Sequence, residues 1–198
     1  MKKTPLTDFS RPRASGIIAI ELRENDHLIG VELTRGDQDV LLFSNSGKAI
    51  RFNEQDVRAM GRSSVGVRGM KLQPDQNVIS LIIASEGHIL TATENGYGKR
   101  TAVDDYPRHG RGGQGVKSIQ TSERNGEVIG AELVGEEDEI MLITSRGTLV
   151  RTRVDEVSIM GRNTQGVKLI TLGEGEKLSG IERIAKISDE EQVTSDEE

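Results

Sequence analysis

The feature that most constrains this chain is a repeat of about fifty residues. GKAIRFNEQDVRAMGRSSVGVRGMKL begins at Gly47, GYGKRTAVDDYPRHGRGGQGVKSI at Gly96 and GTLVRTRVDEVSIMGRNTQGVKLI at Gly147, offsets of 49 and 51. A shorter relative, KKTPLTDFSRPRASGIIAI, lies at the start. The other half of the unit repeats as well: LIGVEL, VISLII, VIGAEL and LSGIER place Ile29, Ile79, Ile129 and Ser179 fifty residues apart. A period of this length means units that bury their apolar faces against their neighbours. It divides the chain into a partial unit 1–25, full units at about 26–75, 76–125 and 126–175, and a partial unit 176–186.

Each unit reads as strands. VELT, DVLLFS, KAIRF and GVRGMKL are short, rich in apolar and β-branched residues, and separated by Gly, Asn, Ser or Asp. DEIMLIT and GHILTAT repeat the second of them. No clear 3.6-residue apolar stripe runs through the chain. Four short strands per unit predict an all-β, propeller-like array of four-stranded blades rather than a solenoid of shorter period. Aromatics are 3% of residues, so Val, Ile and Leu must build the core. Cysteine is absent, which excludes disulfides and thiolate metal sites and fits a reducing cytosol. No apolar run reaches the ~18 residues a membrane span needs, and MKKTPLTDF has no signal-peptide core. His27, His88 and His109 fall at unrelated repeat phases, so turn or surface roles are expected and no metal site. No nucleophile motif surrounds a Ser or Tyr.

The net charge of −6 conceals a polarised distribution. The last twelve residues, ISDEEQVTSDEE, hold six acids and no bases, so residues 1–186 are neutral. Residues 187–198 read as a disordered acidic tail. Within the body, residues 47–72 sum to +4, 96–117 to +3 and 146–170 to +3, whereas 21–39 sum to −4 and 121–140 to −6. Three basic columns keep phase with the repeat: Arg51, Arg100 and Arg151; Arg62, Arg111 and Arg162; Arg68, Lys117 and Lys168. Lys48, Arg58, Lys71, Lys99, Arg108 and Arg153 lie beside them. Equal phase in a blade array means equal position, so the units are expected to present one basic rim.

GRGGQG, Gly110–Gly115, satisfies the G-x-G-x-x-G pattern of a dinucleotide loop. Its siblings GRSSVG and GRNTQG keep only the first glycine, the arginine and the last glycine, and VKSIQ after it reads as a strand where a helix is required. The stretch is therefore a Gly-rich turn that carries an arginine, and a nucleotide-dependent enzyme is not expected. A basic track with few aromatics suits a duplex phosphate backbone, whose contacts give affinity without reading sequence. Single-strand binding would want stacking aromatics. A protein-interaction propeller with a basic rim is the alternative.

VRAMGRSSVGVRGMKL, ILTATENGYGKRTAV, GTLVRTRV and VSIMGRNTQGVKLI resemble the blade motifs of the C-terminal domain of the bacterial DNA gyrase A subunit, over nearly the whole chain. The equivalent domain of topoisomerase IV is the nearest competitor, with fewer and more degenerate blades. The resemblance implies a β-pinwheel whose blades exchange strands, which wraps and bends duplex DNA and supports ATP-dependent negative supercoiling by a holoenzyme. It implies as partners the N-terminal part of the gyrase A subunit, together with the gyrase B subunit. It places the cleaving tyrosine, ATP and Mg elsewhere, leaving this chain catalytically inert, without cofactors and cytoplasmic at the nucleoid. Two departures stand out. The family ring usually has six blades and this chain has about four units, so it looks like the C-terminal portion of that domain. HGRGGQG, His109–Gly115, echoes the family's QRRGGKG box through Arg111, Gly112, Gly113 and Gly115, but lacks its second arginine and its lysine.

Overall fold

The structure, a computed structural model, describes residues 1–184 and Lys186; the predicted acidic tail, residues 187–198, lies outside the described residues. The strands are β1 Asp39–Ser44, β2 Lys48–Asn53, β3 Val78–Ile83, β4 His88–Thr93, β5 Tyr97–Ala102, β6 Val116–Lys117, β7 Val128–Val134, β8 Glu139–Thr144, β9 Leu149–Arg153, β10 Val167–Lys168 and β11 Leu178–Ile184. All pairings between them are antiparallel. The only helical pieces among the described residues are short 3-10 turns, so the expected all-β class holds. The chain falls into two compact units. Met1–Ala84 with Tyr106–Lys117 forms the first, and Ser85–Asp105 with Ser118 onward forms the second.

Unit 1 holds one four-stranded sheet, ordered β3-β1-β2-β6. The β1–β2 hairpin turns on Gly47, whose φ of 78° lies in the left-handed region that a side chain disfavours. DVLLFS is buried at every position of β1, as a nearly unbroken apolar run requires when both faces are covered. Val40, Leu42, Ile50, Phe52, Val57 and Met70 make the core. Burying one such side chain contributes about 1.5–3 kcal/mol. Tyr106 is buried edge-on against Phe43, with ring centroids 5.8 Å apart, a favourable quadrupole arrangement.

Unit 2 holds two sheets, ordered β10-β5-β4-β7 and β11-β8-β9. Leu90, Ala92, Val134, Ile140, Leu142, Val154, Val157, Leu178 and Ile181 share its core. The sheets do not respect the boundaries of the sequence repeat. Each takes its central hairpin from one repeat and its flanking strand or strands from the next: β3 and β6 flank β1–β2, β7 and β10 flank β4–β5, and β11 flanks β8.

Two predicted strands do not form. LIGVELT, residues 28–34, which holds the expected strand VELT, is irregular, and Leu28, Ile29, Val31 and Leu33 are exposed. Its siblings pair with a strand about forty residues earlier, as in Leu42↔Leu81, Thr91↔Ala131 and Leu142↔Ile181. GVRGMKL, residues 66–72, is likewise no strand; Val67 exchanges backbone hydrogen bonds of 2.8 and 2.9 Å with Met1 instead.

Candidate nucleic-acid interface

A short 3-10 turn follows β2, β5 and β9, over Glu54–Asp56, Val103–Asp105 and Val154–Glu156. After each comes the Gly-Arg turn. The last glycine of that turn is fixed by backbone packing. Gly66, Gly115 and Gly166 all have φ between 72° and 102°, and a Cβ there would overlap the carbonyl oxygen of Met1, Ala49 and Gly98 respectively. This close approach accounts for the recurring final glycine.

The middle basic column sits on these turns with part of each guanidinium already engaged. Arg111 donates from Nε to the Asp56 carbonyl at 2.8 Å and from Nη1 to the Arg68 carbonyl at 3.0 Å. Arg62 Nη1 donates to the Ile18 carbonyl at 2.8 Å. Arg162 is half-buried. A guanidinium has five N–H donors in a rigid fork, so Arg62 and Arg111 keep donors for a phosphate while their orientation is already set.

The third column is at the surface. Arg68, Lys117 and Lys168 are exposed. Lys117 stands directly opposite Lys48 across β6 and β2, and Lys168 opposite Tyr97 across β10 and β5. Like charges facing each other on a ladder are unfavourable by themselves and concentrate positive potential. Lys168 Nζ lies 5.9 Å from the Tyr97 ring centroid, and the Arg124 guanidinium lies 4.7 Å from it, within cation–π range. Interaction with Arg124 holds the Tyr97 hydroxyl below its ordinary pKa. Charge counting misses Arg124 because it falls in the acidic segment 121–140; only the fold brings it to the ring.

The first column is mostly committed to the fold. Arg51 Nε donates to Asp39 Oδ2 at 2.8 Å and Nη1 to the Tyr106 carbonyl at 3.2 Å. Arg108 reaches the same carboxylate at 2.6 Å. Burial pushes the Asp39 carboxyl up, but hydrogen bonds from Arg108, Arg51 and Asn53 outweigh it and hold the pKa below its ordinary value. Arg100 is buried, with Nε on the Val157 carbonyl at 2.7 Å and Nη2 on the Asp155 carbonyl at 3.3 Å. Lys99 is buried too, with Nζ donating to the Gly161 and Arg162 carbonyls at 2.5 and 2.8 Å. The sequence puts Arg100 on the rim by repeat phase and Lys99 beside it. Their burial and backbone partners remove them from direct contact with a ligand. Arg151 is exposed and ion-paired with Glu139, and Arg153 with Asp155. Arg58 and Lys71 are exposed. His109, at the start of the box-like stretch, is exposed and its N–H donates to the Arg51 carbonyl at 2.8 Å.

Residues 1–35, 38–85, 87–134 and 138–194 match the family described as DNA gyrase C-terminal domain, beta-propeller. The chain belongs to that family. It is 58% identical to the DNA gyrase A subunit of Salmonella typhimurium over 98% of its own length, 56% identical to that of Pseudomonas aeruginosa over its whole length, and 55% identical to that of Escherichia coli. It spans about a fifth (22%) of each of these relatives. A solved gyrase A C-terminal domain superposes with a TM-score of 0.81 at 31% identity, over 90% of this chain and 60% of that one. A topoisomerase IV C-terminal domain superposes at 0.90 with 23% identity, over 98% of this chain and 62% of that one, a likeness of fold. No helix among the described residues is long and apolar enough to cross a membrane.

Proposed function

We propose that this chain binds duplex DNA through its sugar–phosphate backbone, without reading sequence, and bends it as the wrapping portion of a gyrase A subunit. The observation that carries this reading is the recurring Gly-Arg turn. Arg62 and Arg111 are each pre-oriented by bonds to backbone carbonyls, Arg162 recurs at the same phase, and exposed bases flank them in both units. The contact set is Lys48, Arg58, Arg62, Arg68, Lys71, Arg108, Arg111, Lys117, Arg124, Arg162 and Lys168, with Arg51, Arg151 and Arg153 contributing charge from within ion pairs. Family membership supports gyrase A over topoisomerase IV. In that setting the partners are the rest of the gyrase A subunit, with the gyrase B subunit, in the cytoplasm at the nucleoid. ATP and Mg belong to the holoenzyme, and this chain alone catalyses nothing.

The test uses the 198-residue chain with two duplexes of unrelated sequence, then with nicked circular DNA sealed by ligase in its presence. Equal affinity for both duplexes and a shifted linking number after sealing are expected. A strong preference for one duplex contradicts backbone binding; unshifted topoisomers with binding retained contradict wrapping.

A further inference from the structure

Two of the three Gly-Arg turns are held by a lysine that reaches in from a neighbouring strand or terminus. In unit 2 the fully buried Lys99 donates to the carbonyls of Gly161 and Arg162. In unit 1 Lys2 donates to those of Gly61, at 2.9 Å, and Arg62. The positions are equivalent. Gly66 packs on the Met1 carbonyl and Gly166 on that of Gly98, and the lysine follows immediately in each case. The third turn, GRGGQG, packs through Gly115 on the Ala49 carbonyl, where the next residue is the buried Ile50, which has no donor. No lysine reaches its Gly and Arg carbonyls; it is held by Gly112 N–H to the Gly69 carbonyl at 2.6 Å, Lys71 N–H to the Gly113 carbonyl at 2.8 Å, the Arg111 side chain on the Asp56 and Arg68 carbonyls, and Lys48 Nζ to Gln114 Oε1 at 3.5 Å.

Filling an acceptor does not explain the lysines. The Gly61 carbonyl already accepts from the Ser64 N–H and the Gly161 carbonyl from the Thr164 hydroxyl, each at 3.1 Å. Burying an ammonium is costly, and here it is spent on the two residues that aim an arginine. We infer that Lys2 and Lys99 are positioning residues for the phosphate contact: each clamps its turn so that Arg62 or Arg162 is presented in one orientation, and each sets a positive charge beneath the bound phosphate. GRGGQG has no lysine clamp, and there the arginine's own bonds to the Asp56 and Arg68 carbonyls set its orientation. This inference rests on the DNA-binding reading above.

The charge state supplies a readout. Burial, and then repulsion from Arg162, lowers the Lys99 pKa to about 8, with Asp105 opposing weakly. A phosphate at Arg162 favours the ammonium, so binding takes up a proton once the free chain has lost it. Below about pH 8 Lys99 is charged in both states and affinity is level; above it affinity falls, by at most about tenfold per pH unit for one proton. The Met1 amine, lowered by burial, and Lys2, lowered by burial and then by Arg62, are present in every variant alike, so the difference between variants isolates Lys99.

The experiment measures duplex affinity at pH 7 and pH 9 for the chain, Lys99→Met and Lys99→Arg. It also follows the NMR titration of the Gly161–Gly166 amides with and without duplex, which needs no substitution. The clamp predicts a severalfold loss of affinity in the unaltered chain at pH 9. It predicts weaker binding with a smaller pH dependence in Lys99→Met, and near-normal affinity with that same smaller pH dependence in Lys99→Arg. It also predicts turn signals that titrate near pH 8 in the free chain and higher with duplex. Equal affinities for the chain and Lys99→Met at both pH values, or turn signals that ignore pH, overturn the clamp. An unaltered chain that binds no duplex overturns the DNA reading instead, and the free-chain titration still judges whether Lys99 holds the turn.

Discussion

Two joints built on one backbone pattern show how differently the same position is used. In unit 1 β2 meets the segment leading into the next repeat's Gly-Arg turn through a parallel bridge, Arg51↔Arg108; in unit 2 β5 does so through Arg100↔Ile159. Unit 1 places Asp39 two residues along from the partner of Arg51, and that carboxylate gathers both arginines. Unit 2 has His88 at the matching place. Arg100 is left with two backbone carbonyls and an Nη1 that has no hydrogen-bond partner. One joint is a satisfied ionic network and the other a buried cation short of an acceptor. A half-satisfied buried polar group is less favourable than a full network, so removing a charge should cost the first joint more than the second, and adding an acceptor should help only the second.

The largest expected effect is from Asp39→Ala. It leaves Arg51 and Arg108 facing each other without their carboxylate and should cost unit 1 about 3 kcal/mol, the low end for a broken buried pair because Arg108 can hydrate. The urea midpoint and amide exchange of β1 and β2 would report it. Arg100→Met follows, at about 2 kcal/mol, since it strands two carbonyls but removes an ill-satisfied charge; protection of β5 amides measures it. Next is acid. The Asp39 carboxyl has a folded pKa below its ordinary 3.8, so its stabilisation is present above about pH 4 and is lost as pH falls through the folded value. The stability gap between the chain and Asp39→Ala should therefore shrink between pH 5 and pH 2. The smallest effect is a gain. His88→Asp should give Arg100 the acceptor that Arg51 has and stabilise unit 2 by about 1 kcal/mol at pH 7, with no gain below pH 3. A destabilised His88→Asp would break the comparison.

Much of this is legible in the sequence because the repeat is. The fifty-residue phase carries the strand class, the Gly-Arg turns and the columns of bases. It does not carry the fate of equal positions. Arg100 and Arg151 share a phase, yet one is buried and the other exposed. The residue two along from the cross-strand partner, His88 or Glu139, differs, and cross-strand pairing is not periodic in the sequence. Lys99 reads as a rim base because burial of an ammonium depends on two carbonyls sixty residues away. LIGVEL has the composition of a strand yet is irregular and exposed, because strand formation depends on pairing that composition does not carry. The exchange of flanking strands between repeats likewise follows from family resemblance and not from periodicity.

The central claim is that the arginines of the Gly-Arg turns meet phosphates. The most direct measurement is duplex affinity across a salt series for the chain and for the Arg62→Glu, Arg111→Glu, Arg162→Glu triple variant. The account predicts a linear fall of log K with log salt, about −0.9 per neutralised phosphate, and a weaker, shallower line for the triple variant by about three contacts. Coincident lines for the two proteins would contradict it.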